Sequence, residues 1–501
     1  MMLENLMIGL SNSTSLLGIL GIFIGVLWGI IGGAIPGISG SIAMALILPL
    51  TYGLDPLIAL PTLAAVYVGA EFGGSIPAIL IGAPGTGGAA ATVLDGHELH
   101  KQGKGGLALF TSLFSGVIGG ITGALLLMLF VIPLAKFGLQ FGPAEYFLLA
   151  MFGLTIIGTL SGENQLKGLT SAALGLLIAT IGLDPFTGSQ RFTFGSYLLY
   201  EGIALIPLMV GLFALSEIFM QIYKKETITE KTSKFKMQFL SISQAKIFAP
   251  IAVICGVIGT ILGAMPGAGG SIAAWVSYSE VKRWSRDKTR FGKGELKGVV
   301  APESSNNAVP SGALVPLLAL GIPGSNSTAI LLGAFMIHGL VPGPLLFQES
   351  PGIPFTIIVS MIFAQIFLLF IGLLLIKPAV TVTSLSKKYL YTTIIALVFI
   401  GSFSTTNNIS YIAVALIFGV VGFFMKKYGF APAAAVLGFV LGPLFENNFR
   451  RALSASQGYY NIFYSSTISK VLIVLIIFSL LFPLISNYIN KRKMKKYATQ
   501  E

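Results

Sequence analysis

The chain is poor in charge, cysteine and histidine, and each shortage removes a class of function. Only 10% of its 501 residues are Asp, Glu, Lys or Arg, against about 25% in a soluble domain. With a mean hydropathy of +0.86, that excludes a water-soluble globule. One cysteine, Cys255, permits no internal disulfide and fits no metal-ligand spacing; in an apolar run it reads as a small packing residue. Three scattered histidines, His97 and His100 in an expected cytoplasmic loop and His338 in a short apolar arm, make no metal site. The four aspartates, Asp55, Asp95, Asp184 and Asp287, lie far apart and mostly in loops. Paired acids for an intramembrane enzyme acting on lipid-linked substrates are therefore missing. No Gly-x-x-x-x-Gly-Lys-Ser/Thr run occurs, which removes an ATP-driven pump.

What is present is apolar sequence in long runs, at 16–34, 42–50, 57–82, 107–134, 145–160, 166–183 and 197–222, then at 247–264, 271–279, 299–320, 328–337, 353–376, 390–403, 411–425, 431–445 and 471–484. Continuous runs near 20 residues, without ten-residue alternation, specify membrane helices and not a β-barrel. An all-α polytopic membrane protein is expected, with the shorter runs as half-helices or re-entrant arms. The 61 glycines suit close helix packing. The net charge of +12 reads as positive-inside topology, with no nucleic-acid partner. Residues 1–15 lack the basic region of a cleavable signal, so 16–34 reads as a retained first helix.

A doubled motif organises the chain. Ile35-Pro36-Gly37-Ile38-Ser39-Gly40-Ser41-Ile42-Ala43 returns as Met265-Pro266-Gly267-Ala268-Gly269-Gly270-Ser271-Ile272-Ala273, and Gly82-Ala83-Pro84-Gly85-Thr86 returns as Gly321-Ile322-Pro323-Gly324-Ser325. Pro and Gly stop a helix inside membrane sequence, which leaves backbone groups unsatisfied unless protein or a water-lined site covers them. Such breaks at matching places in two halves are expected of a secondary transporter. The lysine-rich stretch 224–246 is the expected cytoplasmic linker between a first repeat, 1–223, and a second, 247–501. Basic residues flank the Pro266 hairpin, in the linker and at 282–297, whereas 1–15 and 51–56 around the Pro36 hairpin carry none. The repeats are accordingly expected to be inverted in topology. The same count puts the C-terminal run Lys491-Arg492-Lys493-Met494-Lys495-Lys496 inside and leaves Arg191, Arg450 and Arg451 outside.

A half-helix N-terminus offers free N–H groups and about half a positive charge, which suits a carboxylate. The expected substrate cradle is Pro36, Gly37, Ser39, Gly40, Ser41, Pro84, Gly85, Thr86, Pro266, Gly267, Gly270, Ser271, Pro323, Gly324, Ser325 and Asn326, with Ser327 and Thr328 beside them. Glu71, Glu303, Asn306 and Asn307 are the candidate cation ligands, because an intramembrane carboxylate is by default an ion-site hypothesis. No cofactor is expected apart from Na⁺ as a coupling ion. Glu145, Glu201 and Glu217, near run ends, read as anchors. An ion channel would explain the helix breaks, but it would not need two copies of an anion-cradling motif.

The run Tyr67-Val68-Gly69-Ala70-Glu71-Phe72-Gly73-Gly74-Ser75-Ile76-Pro77-Ala78-Ile79-Leu80, followed by Pro84-Gly85-Thr86 and Asp95-Gly96-His97, resembles the large membrane subunit of tripartite tricarboxylate transporters, the TctA family. So do Ala301-Pro302-Glu303-Ser304-Ser305-Asn306-Asn307-Ala308, Pro316-Leu317-Leu318-Ala319-Leu320-Gly321-Ile322-Pro323-Gly324 and Gly339-Leu340-Val341-Pro342-Gly343-Pro344. The similarity covers nearly the whole chain. It implies a secondary carrier, not an enzyme, that imports citrate-like di- or tricarboxylates on a Na⁺ or H⁺ gradient. It also implies a small TctB-like membrane subunit, a TctC-like extracytoplasmic solute-binding protein, and a prokaryotic cytoplasmic membrane with the C-terminus inside. Gly82, where the family usually has Asn, and Ser304-Ser305, where it has Ala-Ala, leave the particular carboxylate open. The alternatives are an intramembrane enzyme acting on lipid-linked substrates, and a carrier for another organic anion working without a binding protein.

Overall fold

A computed structural model describes residues 2–35, 37–160, 165–224, 237–267, 269–382, 387–404 and 408–481. In chain order the helices are α1 (Met2–Thr14), α2 (Leu16–Ala34), α3 (Gly40–Thr51), α4 (Pro56–Ile81), α5 (Val93–Lys101), α6 (Gly105–Gly138), α7 (Pro143–Leu160) and α8 (Gln165–Ala179). Next come α9 (Leu205–Val210), α10 (Ser216–Lys224), α11 (Ile242–Ala264), α12 (Gly269–Trp284), α13 (Lys297–Leu320), α14 (Asn326–Ile337), α15 (Leu346–Glu349) and α16 (Gly352–Val382). The last are α17 (Lys387–Ser404), α18 (Ser410–Lys427), α19 (Pro432–Ala455), α20 (Ile462–Ser465) and α21 (Thr467–Leu481). The strands described are β1 (Gly182–Leu183) and β2 (Gln190–Arg191), which form an antiparallel pair.

Seven of the described helices are long and apolar enough to cross a membrane: Leu16–Ala34, Pro56–Ile81, Gly105–Gly138, Leu205–Lys224, Ile242–Ala264, Gly352–Ile376 and Ser410–Lys427. The protein is an all-α, multi-pass membrane protein. Three local readings need correction. His97 and His100 sit on α5, not in a loop, and so does Asp95; the polar run 93–101 resembles a loop because its helix is held by buried polar contacts and not by an apolar stripe. The run 197–222 becomes helical only from Leu205 and passes through a π turn at Gly211–Leu215. Residues 2–14 form a helix that periodicity alone did not mark.

The chain divides into two compact units, Met1–Leu139 with Ile206–Phe423, and Gln140–Leu205 with Phe424–Glu501. In the first, glycine rows draw helices together. A Cβ on Gly25, Gly29 or Gly33 of α2 would overlap the carbonyl oxygen of Thr62, Val66 or Ala70 on α4, and Gly69 and Gly73 of α4 meet Val26 and Ile30 in return. Residues four apart share a helix face, so each row is a ladder of small contacts that lets two backbones touch where lipid supplies no hydrophobic drive. The same arrangement recurs between α11 and α13. Gly259 meets the Ser305 carbonyl and Gly263 the Val309 carbonyl, while Gly312 meets that of Thr260.

In the second unit, Gly175 of α8 and Gly438 of α19 make the equivalent approach, and Phe147 packs with Phe445, Phe449 and Phe463. Asp184, Arg191, Glu446 and Arg450 form a compact charge knot, with Arg450 Nη2 2.9 Å from Asp184 and 2.7 Å from Glu446, and Arg191 Nη1 2.7 Å from Glu446. Two arginines against two carboxylates leave no net charge there, so these arginines carry little topological weight. Glu145 is an anchor as expected: it accepts from Gly142 N, Ser466 Oγ and Ser469 Oγ.

A candidate functional site at four interrupted helices

Each break is written into the backbone locally. Ile35 leaves α2 in an extended conformation (φ −89°, ψ 116°) and Met265 leaves α11 almost identically (φ −85°, ψ 113°). Both cap N–H groups return 3.2 Å to the carbonyl three residues earlier, on Gly32 and Leu262. Gly37 (φ +90°) and Gly267 (φ +83°) then take left-handed conformations that L side chains avoid. The second pair of breaks also matches, since α4 and α13 end on left-handed Gly82 (φ +67°) and Gly321 (φ +75°) ahead of Pro84-Gly85 and Pro323-Gly324. Pro36 and Ala268 lie outside the described residues.

The loops come together crosswise. Ser39 caps α3 and bonds Ser41 Oγ at 2.9 Å. Ser325 caps α14 in a reciprocal box with Thr328. The two N-termini abut, because a Cβ on Gly40 would lie 3.5 Å from Ser327 Oγ. The α12 N-terminus makes the complementary approach to the loop after α4. Gly270 faces Gly88 and the Asn306 amide, and Ser271 Oγ faces Gly87. Gly267 N donates to Gly324 O at 3.1 Å, and Gly85 N donates to Gly74 O at 3.0 Å. Pro84, Gly87, Ser271 and Asn326 reach the accessible surface over buried Gly40, Ser41, Gly85, Thr86 and Gly88.

Glu71 joins the two sides. It is buried within α4, ten residues before the helix ends, and not at a solvated margin. Its Oε1 lies beside Gly40, its side-chain neighbours include Thr86 and Asn306, and its carbonyl accepts from Asn306 Nδ2 at 3.4 Å. Asn306 Oδ1 is buried and has no hydrogen-bond partner among the described residues. Tyr67, one turn before Glu71, donates to Ser325 Oγ at 3.1 Å. Sequence reasoning missed Tyr67 as a site residue, although its spacing from Glu71 put both on one helix face.

Glu303 and Asn307 belong elsewhere. The Glu303 carboxyl is fully buried and accepts from Ser75 Oγ at 2.6 Å, Ser112 Oγ at 2.7 Å and Thr92 Oγ1. Asn307 Nδ2 donates to the Glu303 carbonyl at 3.0 Å. No group of three His, Cys, Asp or Glu able to hold a metal exists among the described residues. Gly37, Pro266 and Pro323 shape loops, with Gly37 packed beneath the Gln221 amide.

The model of the tripartite tricarboxylate transporter TctA family matches residues 19–437. An uncharacterized 52.8 kDa protein in the TAR-I ttuC' 3' region of Agrobacterium vitis is 34% identical over 98% of both chains. An uncharacterized protein in the TAR-II ttuC' 3' region of the same organism is 35% identical over 47% of this chain and 97% of its own length. No solved structure matches.

Proposed function

The chain belongs to the tripartite tricarboxylate transporter TctA family, a family of transporters and not of enzymes, and from that membership we propose that it is the permease that imports citrate-like di- or tricarboxylates on a Na⁺ or H⁺ gradient. The observation that carries this reading is the abutment of the α3 and α14 N-termini at Gly40 and Ser327. Two converging helix N-termini with Ser39, Ser41, Ser325 and Ser327 hydroxyls form a donor-rich, anion-seeking surface. Glu71 beside them argues for coupling. A substrate carboxylate next to a buried protein carboxylate needs a cation or a proton between them, since uncompensated buried charge is costly.

The matched loops and glycine ladders of α2 to α4 and α11 to α13 support two structural repeats within 1–223 and 247–501, and the flanking charges support their inversion. Alternating access then moves this core against the remaining helices. Family membership supports two partners, a small TctB-like subunit and a TctC-like extracytoplasmic binding protein, and a location in a prokaryotic cytoplasmic membrane with the C-terminus inside.

The test is uptake of radiolabelled citrate into proteoliposomes holding the purified chain, with and without both partners, under imposed Na⁺ or H⁺ gradients. Saturable accumulation that collapses with one gradient is expected. Its absence with every component present would overturn the carboxylate assignment.

A further inference from the structure

A second polar feature runs through the same unit and reaches the loop after α4 only through Thr92. On α6, Ser112, Gly116 and Gly120 follow one another at one-turn intervals and present one face. At Ser112 the face meets the Glu303 carboxyl, which also holds Ser75 and Thr92. At Gly116 it meets the Asn307 amide, and at Gly120 the Gln365 amide from α16. A Cβ at either glycine would collide with these amides, so the absence of side chains on α6 is what admits them. Glu303, Asn307 and Gln365 are all 0% exposed.

The hydrogen bonding of this column is incomplete among the described residues. Asn307 spends its Nδ2 on the Glu303 carbonyl, and its Oδ1 has no partner among the described residues. Both Nε2 and Oε1 of Gln365 are likewise unpartnered. A buried amide without partners is destabilising, and α16 is otherwise an apolar span in which Leu or Met would pack without that penalty. The Asn307 and Gln365 amides face α6 one turn apart and offer neutral oxygens, and the Glu303 carboxyl, one turn beyond Asn307 along α6, supplies one formal negative charge. Hard cations take oxygen ligands, and a single carboxylate suits a single positive charge.

We propose that the Glu303, Asn307 and Gln365 column binds a monovalent cation, Na⁺, at a site separate from the carboxylate cradle, with Glu303 as countercharge and the two amide oxygens as neutral ligands. This deepens the reading of the protein as an ion-coupled carrier and rests on it. It also divides the four candidate cation ligands: Glu71 and Asn306 face the cradle, while Glu303 and Asn307 face α6. Gln365 is the ligand that the motif-based reading did not contain.

The experiment is Na⁺ binding to the purified full chain without substrate, read as ²²Na⁺ retention and as the thermal shift in NaCl relative to KCl. Gln365→Leu keeps the volume and removes both unpartnered atoms, so it should fold with unchanged or raised stability in KCl. It should raise the Na⁺ half-saturation at least about tenfold, a change of roughly 1.4 kcal/mol, and Glu303→Gln should do the same. Asn306→Ala should leave Na⁺ half-saturation within about twofold while weakening citrate binding. Wild-type chain without Na⁺-specific retention or stabilisation, or Gln365→Leu with wild-type Na⁺ half-saturation, would overturn the site. Na⁺ binding that behaves as expected in a protein that moves no citrate would instead remove the substrate assignment and leave the cation site standing.

Discussion

Replacing Gly85 by alanine asks how tightly the cradle is held from behind. A methyl built there overlaps the Gly33 carbonyl oxygen by more than about 1 Å relative to ordinary contact, and it lies 2.9 Å from Gly74 Cα. Both obstacles are backbone, so no side-chain rotation relieves them. The loop must move outward, which breaks the 3.0 Å bond from Gly85 N to Gly74 O. Overpacking of this kind costs about 1–3 kcal/mol, and the lost hydrogen bond adds about 1 kcal/mol. Thr86, Gly87 and Gly88 travel with the loop, and a misplacement near 1 Å costs on the order of 10²-fold in rate. Gly324→Ala provides the internal control at the matching position. Its methyl comes 2.9 Å from Gly263 O and 3.0 Å from Ala313 Cα, so backbone must still shift, but by less than the closer overlap at Gly85 demands. Citrate uptake normalised to protein that elutes as a single species should fall on the order of 10²-fold for Gly85→Ala and about tenfold or less for Gly324→Ala. Equal rates in the two variants, or near-wild-type uptake in Gly85→Ala, would refute the argument.

Tyr67→Phe removes the bond to Ser325 and leaves the Ser325 and Thr328 capping box intact; a loss of about 1 kcal/mol should raise the half-saturating citrate concentration about fivefold, measured by initial uptake rates, with unchanged folding. Asp95→Ala strands the N–H groups of Gly292, Gly294 and Glu295 and the Tyr278 hydroxyl, all of which the carboxylate now accepts. It should cost about 3 kcal/mol and speed protease cleavage in 285–296, while Asp95→Asn should be milder; resistance equal to wild type in Asp95→Ala would exclude this role. Outside the membrane spans, the Phe186 N–H, helped by Arg450 and the Thr187 N–H, holds the Asp184 carboxyl down to about 2 from its ordinary 3.8. A depressed carboxyl contributes stability above its unfolded pKa and loses it as pH falls through the folded one. Hydrogen exchange in residues 180–202 should therefore be flat from pH 7 to 5, after correction for intrinsic rates, and should quicken only between about pH 4 and 2; loosening near pH 6 would contradict it.

The helix breaks were legible because Pro and Gly act on their own backbone. The left-handed glycines at 37, 82, 267 and 321 stand where the repeated motif placed the interruptions. The membrane-spanning class was legible because mean hydropathy and run length depend on composition alone. What faced what was not. Tyr67 and Ser325 are separated by 258 positions, and Ser112 and Glu303 by 191. Gln365 did leave one trace, as an amide within a long apolar run, the kind of residue that membrane interiors retain for a reason. Asp95 left less, since a short polar segment reads as a loop when its partners come from residues 278 to 295.

The sequence by itself therefore determined that this is a helical membrane protein with four paired interruptions, because backbone stereochemistry and transfer into lipid are properties of short stretches. Only the tertiary structure decided that the α3 N-terminus meets the α14 N-terminus and the α12 N-terminus meets the loop after α4, and that Glu71 and Glu303 have different side-chain partners. Those outcomes depend on which glycine faces let two helices touch, a pairwise property that no single stretch contains.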